Sequence, residues 1–279
     1  MPATPAHLSV SIVLHNSSLA NLRVTMESLE RAARAAIEAG RAHRVTVYLV
    51  DNASAPGYRS ELEAWLQRRV QDDSCSLVYR PLNENRGFGA GHNAVITALE
   101  SDYHLVLNPD VELAEEALSR ALAIFASQAD IALLSPGVRG PAGQREYLCK
   151  RYPSVLVLLL RGFAPPAIRR LFRARLDRYE MRATCGERQP VEVELAGGCF
   201  MMAPSALLRE VGGFDERYFL YFEDFDLSLR LRRHGRALYH PGVRIVHRGG
   251  YAARKGGRHI AWFAGSAVKF FNRHGWRWV

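Results

Sequence analysis

The sequence predicts an α/β fold built on a mostly parallel central sheet with flanking helices. Short apolar runs of β type, at residues 10–14, 45–50, 105–107 and 131–134, alternate with segments of helical periodicity. Such alternation gives parallel strands joined by right-handed crossovers. In addition, three of these runs end in polar loops, at Asn16, Asp51 and Asn108-Pro109-Asp110. In a parallel sheet those loops open on one edge, where open α/β folds bind ligands.

Taken in order, Val-Ser-Ile-Val-Leu at 10–14 reads as a buried first strand, with His15, Asn16, Ser17 and Ser18 leaving it. Leu22, Met26, Leu29, Ala33 and Ile37 recur at helical spacing, and Gly40 supplies a stop. The second strand, 45–50, ends in Asp51-Asn52-Ala53-Ser54. An acid there suits a base N–H or a ribose hydroxyl; it equally suits an Asx turn. Residues 58–70 read as helix and 76–79 as a shorter third strand.

The stretch Asn83-Glu84-Asn85-Arg86-Gly87-Phe88-Gly89-Ala90-Gly91-His92-Asn93 has three glycines. It fails the dinucleotide spacing G-x-G-x-x-G because His92 stands where the third glycine belongs, and it comes too late in the chain for a first-strand turn. It does provide a flexible loop running into a helix over 91–99. Glycines there let backbone approach a ligand, and a helix N-terminus favours anions.

Pro109 closes the 105–107 strand, having no N–H for a ladder. Asp110, beside the Asn108 amide, can hold a hard divalent cation through oxygen while diphosphate oxygens fill the other positions. The competing reading is a turn whose polar side chains cap the next helix. Glu112, Glu115 and Glu116 crowd the start of a helix ending near Ser127, as its dipole favours. After the 131–134 strand and a turn at 140–143, the alternation stops.

Residues 155–160 are six consecutive apolar side chains followed by Arg161, and 168–176 reads as a short basic amphipathic helix. Together they suit either an anionic bilayer surface or a core segment beside a solvated basic helix. Residues 191–195 return to strand, continued through 197–202. Glu223, Asp224 and Asp226 follow among Tyr218, Phe219, Tyr221, Phe222 and Phe225, opening a helix stopped by Gly235. A carboxylate walled by aromatic rings suits a general base, because desolvation raises its pKa toward neutrality. Asp226 reads as a helix cap. A last strand, 244–246, ends in His247-Arg248-Gly249-Gly250-Tyr251, where His247 is a candidate metal ligand or phosphate donor.

The 279 residues, 48% of them hydrophobic, suffice for one large core. No run reaches the ~20 apolar residues of a membrane helix. Residues 1–8 lack a basic-then-apolar leader, which predicts a cytoplasmic chain. Cys75, Cys149, Cys185 and Cys199 are scattered without a Cys-x-x-Cys pair, arguing against a zinc site or disulfide framework. The net charge of +9 is localised: residues 161–188 carry +5 and 244–279 carry +8, leaving the rest of the chain at −4. The partner is therefore anionic and met locally. A nucleic-acid-binding protein is the rival from another class, but the chain lacks a recognised module such as an RRM or zinc finger. A nucleotidyltransferase would carry a basic, glycine-rich loop where 10–18 has none.

Val50-Asp51-Asn52-Ala53-Ser54, the 85–93 stretch, Leu107-Asn108-Pro109-Asp110, Gly197-Gly198-Cys199-Phe200 and Phe222-Glu223-Asp224-Phe225-Asp226-Leu227 together resemble family-2 glycosyltransferases, and most closely the rhamnosyltransferase-like bacterial members that build surface polysaccharide. The likeness runs from Val10 to about Tyr251. It implies a single GT-A-type domain over 1–279, with a nucleotide-sugar-binding half at about 8–135 and an acceptor-binding half at about 136–279. By resemblance, His15, Asn16, Asp51, Asn85, Gly87, Gly89, Asn93 and Asn108 line the nucleotide-sugar site. Glu223, Gly198 and Cys199 meet the acceptor, Asp224 is the catalytic base, and Asp110 with His247 holds Mg²⁺ or Mn²⁺. Asn108 replaces the first acid of the family's Asp-x-Asp motif. The implied activity is inverting transfer, of hexosyltransferase type, from a nucleotide-sugar such as dTDP-L-rhamnose, or alternatively a UDP-sugar, to a glycan or lipid-linked glycan acceptor. Nucleic acid is not an expected partner. The basic tract implies peripheral contact with the inner face of the cytoplasmic membrane. Both carboxylates, Asp110 and Asp224, are present, which speaks against a non-catalytic sugar-binding relative.

Overall fold

The computed structural model describes residues 4–69, 74–186, 189–249 and 256–279. The chain opens with β1 (Ala6–Leu14), α1 (Leu19–Glu38), β2 (Ala42–Asp51), α2 (Pro56–Arg68), β3 (Ser76–Pro81), α3 (Phe88–Ile96) and β4 (Tyr103–Leu107). It continues with β5 (Val111–Leu113), α4 (Ala117–Ser127), β6 (Ile131–Arg139), β7 (Arg145–Glu146), α5 (Val155–Phe163), α6 (Pro166–Leu171) and α7 (Arg173–Tyr179). Then come β8 (Val191–Glu192), β9 (Phe200–Pro204), α8 (Ser205–Glu210), α9 (Glu223–Leu231), β10 (Arg236–His247) and α10 (Gly256–His274).

The sheet runs β3-β2-β1-β4-β9-β6-β10-β5, with β7 on β6 and β8 on β10. The first four strands are parallel, as expected from their alternation with helices. β9 enters antiparallel between β4 and β6, β10 is parallel to β6, and β5 is antiparallel at the edge. A strand from the second half of the chain thus sits beside β4, whose end carries Asn108.

One face of β1 presents Leu8, Val10, Ile12 and Leu14, all fully buried with Leu22, Met26, Leu29 and Ala33 of α1 in one core. The small residues Ala32, Ala33 and Ala36 let that helix lie close to the sheet. The opposite face packs Val13, Val50, Val106 and Met201 with Ile96, Leu208, Leu227 and Leu231 of α3, α8 and α9. On this second side Ser9 and Ser11 build a polar chain inside the core. Ser205, Ser101, Ser9, His104, Ser11 and His92 are linked in turn at 2.6–2.8 Å. A third cluster joins Leu158 of α5, Tyr218 and Phe222 to Ala267, Phe270 and Phe271 of α10.

Several local expectations change. Residues 191–202 are not one strand: β8 pairs with β10, Leu195 bridges to Lys150, and β9 begins only at Phe200. The basic segment 168–176 divides at Phe172 into α6 and α7. α9 ends at Leu231, short of Gly235, and the final strand is much longer than 244–246, with a register shift between His240 and Arg244. α10 had no counterpart in the sequence reading. Val70, at the end of the expected second helix, and Gly250 and Tyr251 lie outside the described residues.

Candidate active site

The carboxyl ends of β1, β2 and β4 form one rim. There Asn52 is the hub. Its side-chain amide donates to Asn85 Oδ1 and to the Gly87 carbonyl, both at 2.9 Å, and its Oδ1 accepts from the Arg86 amide at 3.3 Å. His15 Nδ1 lies 3.0 Å from the Asn52 carbonyl, and Asn16 Oδ1 accepts from the Ala55 amide at 2.9 Å. His15 and Asn16 are exposed on the rim. Asp51 points inward instead: it is 0% exposed, accepts from the Ser54 amide at 3.0 Å and pairs with Arg59. The Asx-turn geometry therefore describes this carboxylate.

The 83–93 loop is pinned to the far half of the chain. Gly87 takes φ 96°, and a Cβ there would collide with the Phe219 carbonyl, which accepts from the Phe88 amide at 3.1 Å. Gly89 lies against the Phe214 ring. Asn93 is buried and clamps the same loop: its amide donates to the Phe214 carbonyl at 2.8 Å, and its Oδ1 accepts from the Phe214 amide at 2.8 Å. These contacts bring the loop leaving β3 against the segment leading into α9.

Asp224 stands in the first turn of α9. Its Oδ2 accepts from the Gly198 amide and its Oδ1 from the Phe225 amide, each at 2.9 Å. Burial pushes its pKa up to about 6, against the opposing effect of those N–H groups. Glu223 is 5% exposed with an unpartnered buried Oε2; burial and the Asp224 charge raise its pKa well above the carboxylate range. Asp226 does not cap the helix. It is fully buried, paired to Arg230 Nε at 2.7 Å and placed 2.7 Å from His274 Nε2. A Cβ on Gly198 would meet both Phe88 and Asp224, so this glycine permits the close approach.

From Gly198 the chain passes directly to buried Cys199, whose carbonyl accepts from the Asn108 amide at 3.0 Å. Two residues thus connect Asp224 to the 108–110 turn. Asn108 Oδ1 and Asp110 Oδ1 are buried without a hydrogen-bond partner. His247 Nε2 lies 3.5 Å from Asp110 Oδ1, and His247 Nδ1 lies 3.1 Å from Glu146 Oε2. Burial disfavours the imidazolium, but Asp110 and Glu146 outweigh it and hold His247 above its usual pKa. A Cβ at Gly249 would strike Asp110, so glycine keeps this space open.

An amide oxygen and a carboxylate oxygen, neither of them hydrogen-bonded, stand beside an imidazole and form a donor set suited to a hard or borderline divalent cation. Glu146 orients the imidazole, as carboxylates behind metal-ligating histidines do. Among the described residues no three His, Cys, Asp or Glu side chains form a cage. A cation here would rely on Asn108, Asp110, His247 and ligand oxygens. Glu146 and Asn52 were not among the expected site residues. Asn52 lies within the Val50-Asp51-Asn52-Ala53-Ser54 motif, whereas Glu146 carries no local signal.

Residues 9–201 match the family described as Glycosyl transferase family 2. The chain is 30% identical over 250 residues, 83% of its own length and 76% of the other's, to the N-acetylglucosaminyl-diphospho-decaprenol L-rhamnosyltransferase of Mycobacterium tuberculosis. The chain is a family-2 glycosyltransferase. Its fold resembles that of the mannosyltransferase PcManGT from Pyrobaculum calidifontis in complex with GDP-Man and Mn²⁺ (TM-score 0.59, 14% identity, 98% of this chain and 77% of that one). It also resembles GalNAc-T7 with UDP, GalNAc and Mn²⁺ (TM-score 0.59, 14% identity, 88% of this chain), of which it spans 44% of the length. The family-model match ends at residue 201, before α9.

Proposed function

We propose that this glycosyltransferase moves L-rhamnose from dTDP-L-rhamnose, with inversion, to a hydroxyl of a lipid-linked glycan. The observation that carries the reading is the Gly198-Cys199 bridge, which holds a partly desolvated carboxylate beside the turn bearing Asn108 and Asp110. The mycobacterial relative's activity supports the choice of sugar.

The acceptor hydroxyl is a poor nucleophile at neutral pH, and Asp224 takes its proton as the oxygen bonds to the anomeric carbon. The bond from that carbon to the diphosphate oxygen breaks, and the nucleoside diphosphate departs from the opposite face. Asn108, Asp110 and His247 would hold Mg²⁺ or Mn²⁺, which would supply positive charge against the departing diphosphate. The Asn52-centred rim and the 83–93 loop hold the nucleotide. Glu223, Gly198 and Cys199 line the acceptor side. The exposed arginines of α6 and α7, with the apolar side chains beside them, hold the enzyme peripherally on an anionic membrane.

The test supplies dTDP-L-rhamnose and an N-acetylglucosaminyl-diphospho-lipid with and without Mg²⁺ or Mn²⁺. The expected product carries rhamnose of inverted anomeric configuration, and Asp110→Ala abolishes both turnover and metal stimulation. Turnover of a UDP-sugar but not of dTDP-L-rhamnose would replace the donor. A fully active, metal-stimulated Asp110→Ala would remove the cation assignment.

A further inference from the structure

α10 lies alongside the segment entering α9, and its contacts concentrate just ahead of Asp224. Tyr221 and Phe222 take left-handed φ angles of 72° and 67°. Bulky residues seldom do so, and consecutive ones persist only where the surroundings over-determine them. Here α10 supplies those surroundings. The Tyr221 hydroxyl lies 2.9 Å from His259 Nδ1, Ser266 Oγ donates to the Leu220 carbonyl at 2.9 Å, and Lys269 Nζ donates to the Arg217 carbonyl at 2.5 Å. The Phe222 ring packs 5.2 Å, centroid to centroid, from both Phe263 and Phe270. Farther along, His274 and Arg273 reach Asp226 in the first turn of α9. One helix therefore grips the entry to α9 and its opening turn.

None of these α10 residues enters the chemistry proposed above, and all lie outside the matched family segment, residues 9–201. Yet Asp224 follows Phe222 by two positions. A rotation of that first turn would carry its carboxylate off the Gly198 amide, and a 1 Å misplacement can cost a reaction about 10²-fold. We infer that α10 positions the base: the Tyr221–His259 contact and the packing of Phe222 hold the two left-handed residues that aim Asp224. His259 and Tyr221 are thus positioning residues, and the inference rests on the reading of Asp224 as the base.

Tyr221→Phe tests this with little risk to folding, because the ring keeps its contact with Phe263 at 5.6 Å and only the hydroxyl is lost. Transfer from dTDP-L-rhamnose should show kcat lowered about fivefold, the weight of one ordinary hydrogen bond. KM for the donor should stay within about twofold and Tm within about 2 °C. His259→Phe should act alike, and the double variant should fall no further, since the pair acts as a unit. Independently of any donor, amide hydrogen exchange over residues 221–226 should quicken in Tyr221→Phe.

Unchanged kcat together with unchanged exchange would overturn the inference, as would parallel losses of kcat and Tm, the mark of a helix that only fills the core. Asp224→Asn measured alongside separates the two claims. If it transfers sugar at the wild-type rate, the base assignment falls and the inference with it. If it is inactive while Tyr221→Phe behaves as wild type, the inference alone falls.

Discussion

At the scale of single residues, Asp224 is held by two backbone N–H groups while burial lifts its pKa to about 6. It is therefore charged at neutral pH yet basic enough to accept a proton. With Asp224 as the proposed base its acid form is inactive, so kcat/KM should rise with pH through about 6 and level off above 7. Asp224→Asn keeps the shape and removes the basicity, so transfer should fall ~10²–10⁴-fold while donor affinity persists. A steady-state pH profile of both proteins checks this; near wild-type transfer in Asp224→Asn, with loss in Glu223→Gln, would transfer the role to Glu223. The 108–110 turn and the start of α9, which carry Asp110 and Asp224, were legible as compact local patterns in the sequence. Glu146 was not, since it meets His247 across 101 residues of chain through the β6–β7 pairing. Asp51 shows the opposite problem: an acid after a strand looks alike whether it faces a ligand or, as here, an arginine of the next helix.

Elements were legible where their period was unbroken, as in β1, α1, β2 and β4. The rest depended on partners distant in sequence. β9 is five residues long and takes its place from β4 and β6, and α10 is an aromatic-rich helix whose core face matches α5 and α9. The serine–histidine chain under β1 is likewise a product of packing, and it has a measurable consequence. Burial lowers His104 to about 3 and His92 well below its ordinary pKa. Both remain neutral in the native state while the unfolded chain protonates below about 6.5. The unfolded state then binds more protons, so stability falls as pH drops, by about 1.4 kcal/mol per pH unit for each histidine. The buried acids Glu223 and Asp224 oppose this dependence equally in parent and variant. In urea unfolding between pH 7 and 4.5 the pH slope of the parent should therefore exceed that of His104→Asn by about 1.4 kcal/mol per pH unit, the share of one histidine. An unchanged slope in the variant would exclude His104 as its source.

Across the whole molecule, most of the large exposed apolar side chains among the described residues lie in two segments that touch, Val78, Ile260 and Val268 being elsewhere. Leu159 and Phe163 on α5 and Ile168 and Leu171 on α6 are exposed, as are Trp276 and Trp278 near the C-terminus. The amides of Val155 and Leu156 donate to the carbonyls of Arg277 and Trp278 at 2.8 and 3.1 Å, tying the two segments together. The apolar run at 155–160 divides by face: Val157, Leu158 and Leu160 are core, and Leu159 faces solvent. Arg169, Arg170, Arg173 and Arg175 are exposed on the adjoining α6 and α7. Among the described residues no helix is long and apolar enough to cross a membrane. Indole rings with neighbouring arginines instead suit the headgroup level of an anionic bilayer. Each basic side chain near such a surface contributes about 1 kcal/mol, so replacing the four arginines with glutamine should weaken binding to phosphatidylserine vesicles by about two to three orders of magnitude. Salt should do the same to the parent protein, because screening shortens from about 8 Å at physiological ionic strength to about 3 Å at 1 M. What survives high salt is the apolar share, which Trp276→Ala and Trp278→Ala should reduce. Co-sedimentation with vesicles separates these contributions, and equal binding of parent and arginine variant to neutral and anionic vesicles alike would exclude an electrostatic membrane contact.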